Sequence, residues 1–383
     1  MNRAISIIAI MLSVAITGCM TKNNHTTEII NVDVKASYPK KDLILQDFMD
    51  VEYIPLETSD EFITYGYVQA VGKNVIVIRN KARDGDILIF DKTGKGLRKI
   101  NRLGRSEEEY SGIFGLILDE EKDEMFVVDY PLRKILVYDL FGNFKRRFNF
   151  ADTSYYNYIH NYDKDNLICF KHYSPSGETK ESCHLLVSKK DGSITKEIQF
   201  PIGELQTPVW IKGEIVVTPE YCQAIPSRDG WALTRSSSDT VYNYMPNGKA
   251  NPIIITTPST QTMDPQVFLY PTVITDRYSF LTTIKKKFSI EKRRGFPTTR
   301  LVYDNQEKAL FECTVLNNDY SVKKKVPMRW NVANHEVATY ISLSAVDLIE
   351  ANKKGHLKGR LKEIASKLHE ESNPVIMLVK HRK

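Results

Sequence analysis

One phrase recurs along this chain, and it restricts the fold more than any other feature. Asp86-Ile87-Leu88-Ile89-Phe90-Asp91-Lys92-Thr93-Gly94 is an apolar strand that runs into an Asp-x-x-Gly turn. It returns as Lys134-Ile135-Leu136-Val137-Tyr138-Asp139-Leu140-Phe141-Gly142. Weaker copies are 184–188 leading to Asp191-Gly192, and 240–244 leading to Asn247-Gly248; 300–304 reads as a decayed fifth. The turn glycines fall at 94, 142, 192 and 248, a period of about 50 residues, which predicts a radial array of small sheets.

The strand pattern within each period supports that reading. One unit offers strands over 67–71, 74–79, 86–90 and 96–100. The next offers 114–118, 125–128, 134–138 and 143–148. Four antiparallel strands in under 50 residues are what one propeller blade needs. Further units span about 151–203, 204–256 and 257–317. The last is interrupted: Ser344 can cap a helix from Ala345, Gly355 can end it, and Leu357, Leu361, Ile364 and Leu368 line one face of a second helix. A helical insertion over about 344–372 is expected. The final strand, 375–379, and the opening strand, 51–57, both lack partners, and joining them in one blade would close the ring.

The N-terminus reads as an export signal. Arg3 supplies a positive start, residues 5–16 are apolar, and Thr17-Gly18 precede Cys19. The apolar run is shorter than the roughly 20 residues a spanning helix needs. Ala15-Ile16-Thr17-Gly18-Cys19 resembles a lipobox, which implies a signal peptide over 1–18 and a lipidated Cys19. Residues 19–42 read as a lipidated polar tether, leaving 43–383 for the propeller. Met20 follows the cysteine, which by analogy with lipoprotein sorting favours the outer membrane, on its periplasmic side or at the cell surface.

Charge is uneven. Residues 19–284 carry net −5 and residues 285–383 net +10. An exported chain rarely meets nucleic acid, so solvated strand edges or contact with an anionic surface fit this basic third better. Cys169, Cys183, Cys222 and Cys313 match no disulfide framework, and free buried thiols are the expected state.

Three segments carry a family resemblance: Ile54-Pro55-Leu56-Glu57-Thr58, Phe90 to Lys95 with Leu97-Arg98-Lys99-Ile100, and Asn373-Pro374-Val375-Ile376. They resemble the six-bladed β-propeller lipoproteins of gram-negative gut anaerobes, a group related to NHL-repeat propellers. The resemblance implies an all-β, six-bladed β-propeller and an envelope address more than an activity. The family often carries Gly-Pro-Gly-Glu-Tyr after its first unit; here Glu109 and Tyr110 remain and the Pro-Gly portion is missing.

Loops between blades and loops between second and third strands share one propeller face. That set brings together Arg102, Arg105, Glu109, Tyr110, Tyr130, Arg133, Tyr155, Tyr156 and Tyr173. Aromatic rings with polar edges suit glycan or peptide ligands, and Arg suits carboxylates. His160, His172 and His184 recur every twelve residues, a strand spacing rather than a zinc pattern. No Gly-x-Ser-x-Gly, His-Glu-x-x-His or P-loop motif is present. The expectation is a monomeric, membrane-anchored propeller without cofactor or metal, binding a glycan, peptide or envelope protein. The alternatives are a propeller-type lyase or hydrolase acting on a sugar or peptide, and a scaffold of an envelope complex.

Overall fold

The Asp-x-x-Gly phrase forms the turn between the third and outermost strands of successive four-stranded sheets. In a computed structural model, the chain is described over residues 28–150, 155–172, 184–201, 204, 206–288, 295–331 and 334–382. The expected signal peptide over 1–18, Cys19, Tyr173 and Cys183 lie outside the described residues, as does the side chain of Tyr155.

Six sheets make a six-bladed β-propeller. Blade 1 pairs Tyr67–Val71, Val75–Arg79, Asp86–Asp91 and Gly96–Asn101 in that order. Blade 2 repeats the arrangement over 115–149 and blade 3 over 155–198. Blade 4 covers 224–257 and blade 5 covers 267–317. Blade 6 joins both ends of the chain. Val375–His381 lies between Val337–Leu343 and Met49–Pro55, antiparallel to both, with Val375 opposite Pro55 and His381 opposite Met49. The two spare strands read from the sequence therefore close the ring. Among the described residues, no helix is long and apolar enough to cross a membrane.

The repeated turn has a physical cause. Asp91 Oδ1 accepts from the Thr93 and Lys95 N–H groups at 2.8 and 3.0 Å. Asp139 does the same for Phe141 and Asn143 at 2.9 Å each. These bonds satisfy the tight turn locally. Gly94 then takes φ +91°, and a Cβ there would lie 2.1 Å from the Pro55 carbonyl oxygen. The turn of blade 1 is thus pressed against the outermost strand of blade 6. The contact is fixed by a hydrogen bond from Glu57 N–H to Gly94 O at 2.8 Å. Between the blades the core is apolar, as in the cluster of Ile54, Leu56, Phe62, Ile76, Leu88, Phe90 and Ile376 that joins blades 6 and 1.

The expectation of a tether over 19–42 is corrected from residue 28 onward. Ile30–Asp33 adds a fifth, parallel strand to the outer edge of blade 4, and Lys40–Ile44 does the same for blade 5. Val32 is fully buried among Cys222, Ile225, Val241 and Ile254. These strands are short and mostly polar because their outward residues face water. Val32 and Leu43 are the inward residues that hold them down.

The helical insertion falls at Ala345–Lys353 and Gly359–Ala365. Ser344 Oγ accepts from Asp347 N–H, as the capping pattern requires. Leu348, Leu357, Leu361 and Ile364 are buried with Tyr53, Val315 and Met377, so the helices pad the space between blades 5 and 6.

Candidate functional site

Ring closure leaves a central cavity of about 1050 Å³. Its wall comes from the innermost strands of blades 1, 2 and 3 and from Trp330, Asn331, Asn334, His335 and Glu336 ahead of blade 6. It reaches the turns that join first to second strands, at Gly72–Asn74, Asp119–Glu121 and Asp163. Toward the opposite face it is bordered by Phe114 and Tyr130.

Rings dominate this wall. Trp231 stacks on His160 at 5.4 Å and 26° and meets His335 edge-on at 6.1 Å. Tyr162 lies 6.4 Å from Trp231. Tyr158 meets Trp330 edge-on at 5.7 Å. Blade 3 places two of these rings by an irregularity in its innermost strand, Tyr155–Asn161. Asn157 pairs with Phe170 and His160 with Ile168, so two residues oppose Cys169 in a bulge. Tyr158 sits in that bulge at φ +51°, a left-handed conformation uncommon for a bulky side chain. Bulges and such strained backbone gather where a strand must re-aim side chains.

The polar groups of the wall differ in how far they are satisfied. Lys189 Nζ bonds Asp119 Oδ2 at 2.6 Å and Asp163 O at 2.5 Å, a buried pair that ties blade 2 to blade 3. Beside it Arg146 holds Glu124 by two hydrogen bonds of 2.7 Å and donates to Lys189 O. Arg146 and Lys145 together hold the Glu124 carboxyl down to about 2. Glu120 accepts from the Lys73 and Asn74 N–H groups at 2.5 and 2.8 Å, linking blades 1 and 2. Asn331 is engaged with Thr339 and Tyr340, and Asn334 with Glu336 and Val337. His160 is the exception. Its Nε2 is buried and has no hydrogen-bond partner. Burial pushes its pKa down to about 4, so the imidazole is neutral at ordinary pH.

The residues singled out in the sequence are dispersed. Tyr130 borders the cavity, between Phe114 and Phe150. Tyr110 is fully buried; its hydroxyl donates to Gly85 O at 2.7 Å and accepts from Arg102 N–H at 2.8 Å. That burial pushes the phenol up to about 12. Tyr156 is buried against Phe150 at 4.9 Å. Neither ring is available to a ligand from outside. Glu109 accepts from Ser106 N–H at 2.9 Å and closes its own loop, while Lys134 Nζ donates to Glu109 O. Arg102 donates to Gly142 O at 2.9 Å, and Arg105 is exposed. Arg133 has φ +50° and its N–H donates to Tyr130 O; unlike Tyr130, it does not border the cavity. The expected face therefore uses most of these groups to build the loops themselves. The ring cluster reaches the opposite set of turns.

The sequence reading missed Trp231, Trp330, His160, Tyr158 and Tyr162. Trp231 lies in an apolar strand, Gly230–Leu233, and reads as core. Trp330 lies outside the repeat. The presence of only three tryptophans, two of them in this wall, is the signal that was there to be used. Cys169 and Cys222 are buried free thiols and Cys313 is a half-buried one. Among the described residues no group of three or more His, Cys, Asp or Glu side chains could hold a metal ion.

A known structure shares the architecture. A candidate exported protein of Bacteroides fragilis matches with a TM-score of 0.60 at 13% identity, over 93% of this chain and 100% of its own. A member of the DUF4221 family from Bacteroides vulgatus matches at 0.46 and 10% identity, over 88% and 98%. No curated protein matches the sequence. The sequence model of DUF5128, described as a 6-bladed beta-propeller, matches residues 21–339, and the chain belongs to that family.

Proposed function

We propose that the protein is an exported binding propeller of the cell envelope, held at the outer membrane through a lipid on Cys19, and that it captures a ligand in its central cavity. The cavity carries this reading. It is large, and its wall is rich in rings. Largely pre-formed cavities with many aromatic walls and few placed polar groups are what small-ligand sites look like. The export-signal pattern at the N-terminus supports the address, as does the exported character assigned to the Bacteroides fragilis protein. A closed ring of blades suits recognition, since the scaffold stays fixed while loops vary.

Two measurements test the proposal. Thermal shift of the purified full chain against cell-wall fragments, oligosaccharides and short peptides should give saturable stabilisation by one class, because a ligand of the folded state raises apparent stability. Trp231→Ala or Trp330→Ala should weaken that response at least tenfold. An unchanged response in both variants would remove the cavity from the proposal. Cys19→Ser should move the protein from the membrane fraction to the soluble fraction. Retention in the membrane would remove the lipid anchor.

A further inference from the structure

One piece of β structure lies outside every blade. The connection from blade 3 to blade 4 carries a two-stranded ribbon, Trp210–Lys212 against Ile215–Val217, with Gly213 in its turn at φ +60°. Among the described residues no third strand pairs with either edge. The root of the ribbon is fixed. The Trp210 ring lies 5.0 Å from Phe288, which lies 5.5 Å from Phe296, and Phe296 packs on the buried cluster around Tyr270. The rest stands in water: Ile211 is 61% exposed, Ile215 52% and Val216 60%. Ile211 is opposite Val216, and Lys212 is opposite Ile215. Successive pairs point to opposite faces, so large aliphatic side chains are exposed on both faces of the ribbon. Exposed apolar groups gathered in this way mark a contact with a protein or a membrane.

We propose that this ribbon inserts into the surface of an anionic phospholipid bilayer. The proposal rests on the reading of the protein as held at a membrane. The distribution of apolar groups favours lipid over protein. A partner chain that docks on a ribbon covers one face or pairs one edge, which would leave either Ile215 or the Ile211–Val216 pair in water. A bilayer surrounds the tip from all sides, and burial of apolar surface has no preferred direction. The unpaired backbone groups of both edges keep the ribbon out of the hydrocarbon, where nothing would satisfy them. They place the tip among the headgroups. The charges beside it give the sign of the surface. Lys212 ends the first strand, and Lys285 and Lys287 lead into Phe288; all three are exposed and have no ion-pair partner. The acids near the ribbon are Glu214 in the turn and Glu220, which faces Arg329 at 3.8 Å. Lysines near a membrane surface are attracted to anionic lipids. The tether is long enough. Ile30 pairs with Ile254 and Asp33 with Thr257, so the chain enters blade 4 at the end away from the ribbon, where Glu28 meets Lys308 at 2.7 Å. The eight-residue strand Ala250–Thr257 rises about 26 Å. The chain from Cys19 to Glu28 extends to about 30 Å, so a lipid on Cys19 reaches the level of the ribbon.

The test uses the chain as it stands after signal cleavage, with Cys19→Ser so that no lipid contributes, and co-sedimentation with vesicles. One set of vesicles is equal parts phosphatidylethanolamine and phosphatidylglycerol; the other is phosphatidylcholine alone. The expected result is binding to the first set that weakens with salt, and weaker binding to the second. Ile211→Ser, Ile215→Ser and Val216→Ser together should lower that binding at least tenfold and leave the melting temperature unchanged, since all three side chains are exposed. Lys285→Glu with Lys287→Glu should remove the preference for the anionic vesicles. Equal binding by the triple-serine chain overturns the role given to the ribbon. Absence of binding to both sets overturns the lipid assignment. So does a dimer in sedimentation velocity that the triple-serine chain loses, because the ribbon is then a contact between copies. The anchor is tested separately. Three side chains hold a surface weakly and reversibly, so the Cys19→Ser chain still moves to the soluble fraction of cells.

Discussion

The contact between Gly94 and the closing blade gives a prediction whose size can be worked from the geometry. In Gly94→Ala the new methyl meets two separate difficulties. The residue holds φ +91°, which costs an L-side chain about 1–2 kcal/mol. The Cβ would also lie 2.1 Å from Pro55 O and 2.9 Å from Pro55 C, both backbone atoms of the strand that closes the ring. Backbone cannot rotate away as a side chain can, and overpacking of this kind costs about 1–3 kcal/mol. The sum is roughly 2–5 kcal/mol. Gly248→Ala is the internal control. Its φ is +80°, but the nearest atom, 2.5 Å away, is Lys196 Nζ, the free end of a flexible side chain. Only the backbone term should remain there, about 1–2 kcal/mol. Urea titration followed by far-ultraviolet circular dichroism reads the difference, provided the two variants share one slope. Equal losses, or a larger loss at Gly248, would refute the argument that the blade 1 turn is clamped on the closing strand.

Two other perturbations follow from the same structure. Glu124 has its pKa lowered from the usual 4.5 to about 2, first by the Arg146 hydrogen bonds. Its contribution to stability is therefore fully present above about pH 4.5 and is lost as pH falls toward 2; a thermal melt series over that window should fall more steeply for the native chain than for Glu124→Gln. Val32→Ala should cost about 1–2 kcal/mol in denaturant titration, since it removes two buried methyls from the strand on blade 4. A neutral Val32→Ala would mean that residues 28–33 are the free tether the sequence suggested.

Blades 1 and 2 were legible almost strand for strand. Their second and third strands are apolar over four residues, and each turn satisfies itself through an Asp whose neighbours need no distant partner. Ile30–Asp33 and Lys40–Ile44 were hidden for the opposite reason. Each is held by one or two inward residues and by a neighbour more than half the chain away. The cavity was hidden because it belongs to no single unit. Trp231 comes from blade 4, His160 from blade 3 and Trp330 from a segment outside the repeat, and the period that reveals the ring carries no trace of what converges at its centre. Tyr110 misled for a related reason. A tyrosine in a polar loop reads as a displayed ring, whereas here its hydroxyl joins Arg102 N–H, at the start of its own loop, to Gly85 O, just before the third strand of blade 1.

The arrangement of residues 30–55 has a consequence for the order in which the molecule is assembled. Ile30 waits for Ile254, Lys40 for Glu312, and Met49 for His381. As the chain is made or emerges from a pore, this segment appears first and finds its partners last. Blades 1 to 3 can form from neighbouring sequence, whereas blades 4 and 5 stay unfinished at their outer edges until the leading segment returns to them. Contacts between distant residues are slow to form. Until the leading segment pairs, the ring is an open arc with exposed strand edges, and such edges are prone to pair with neighbouring chains.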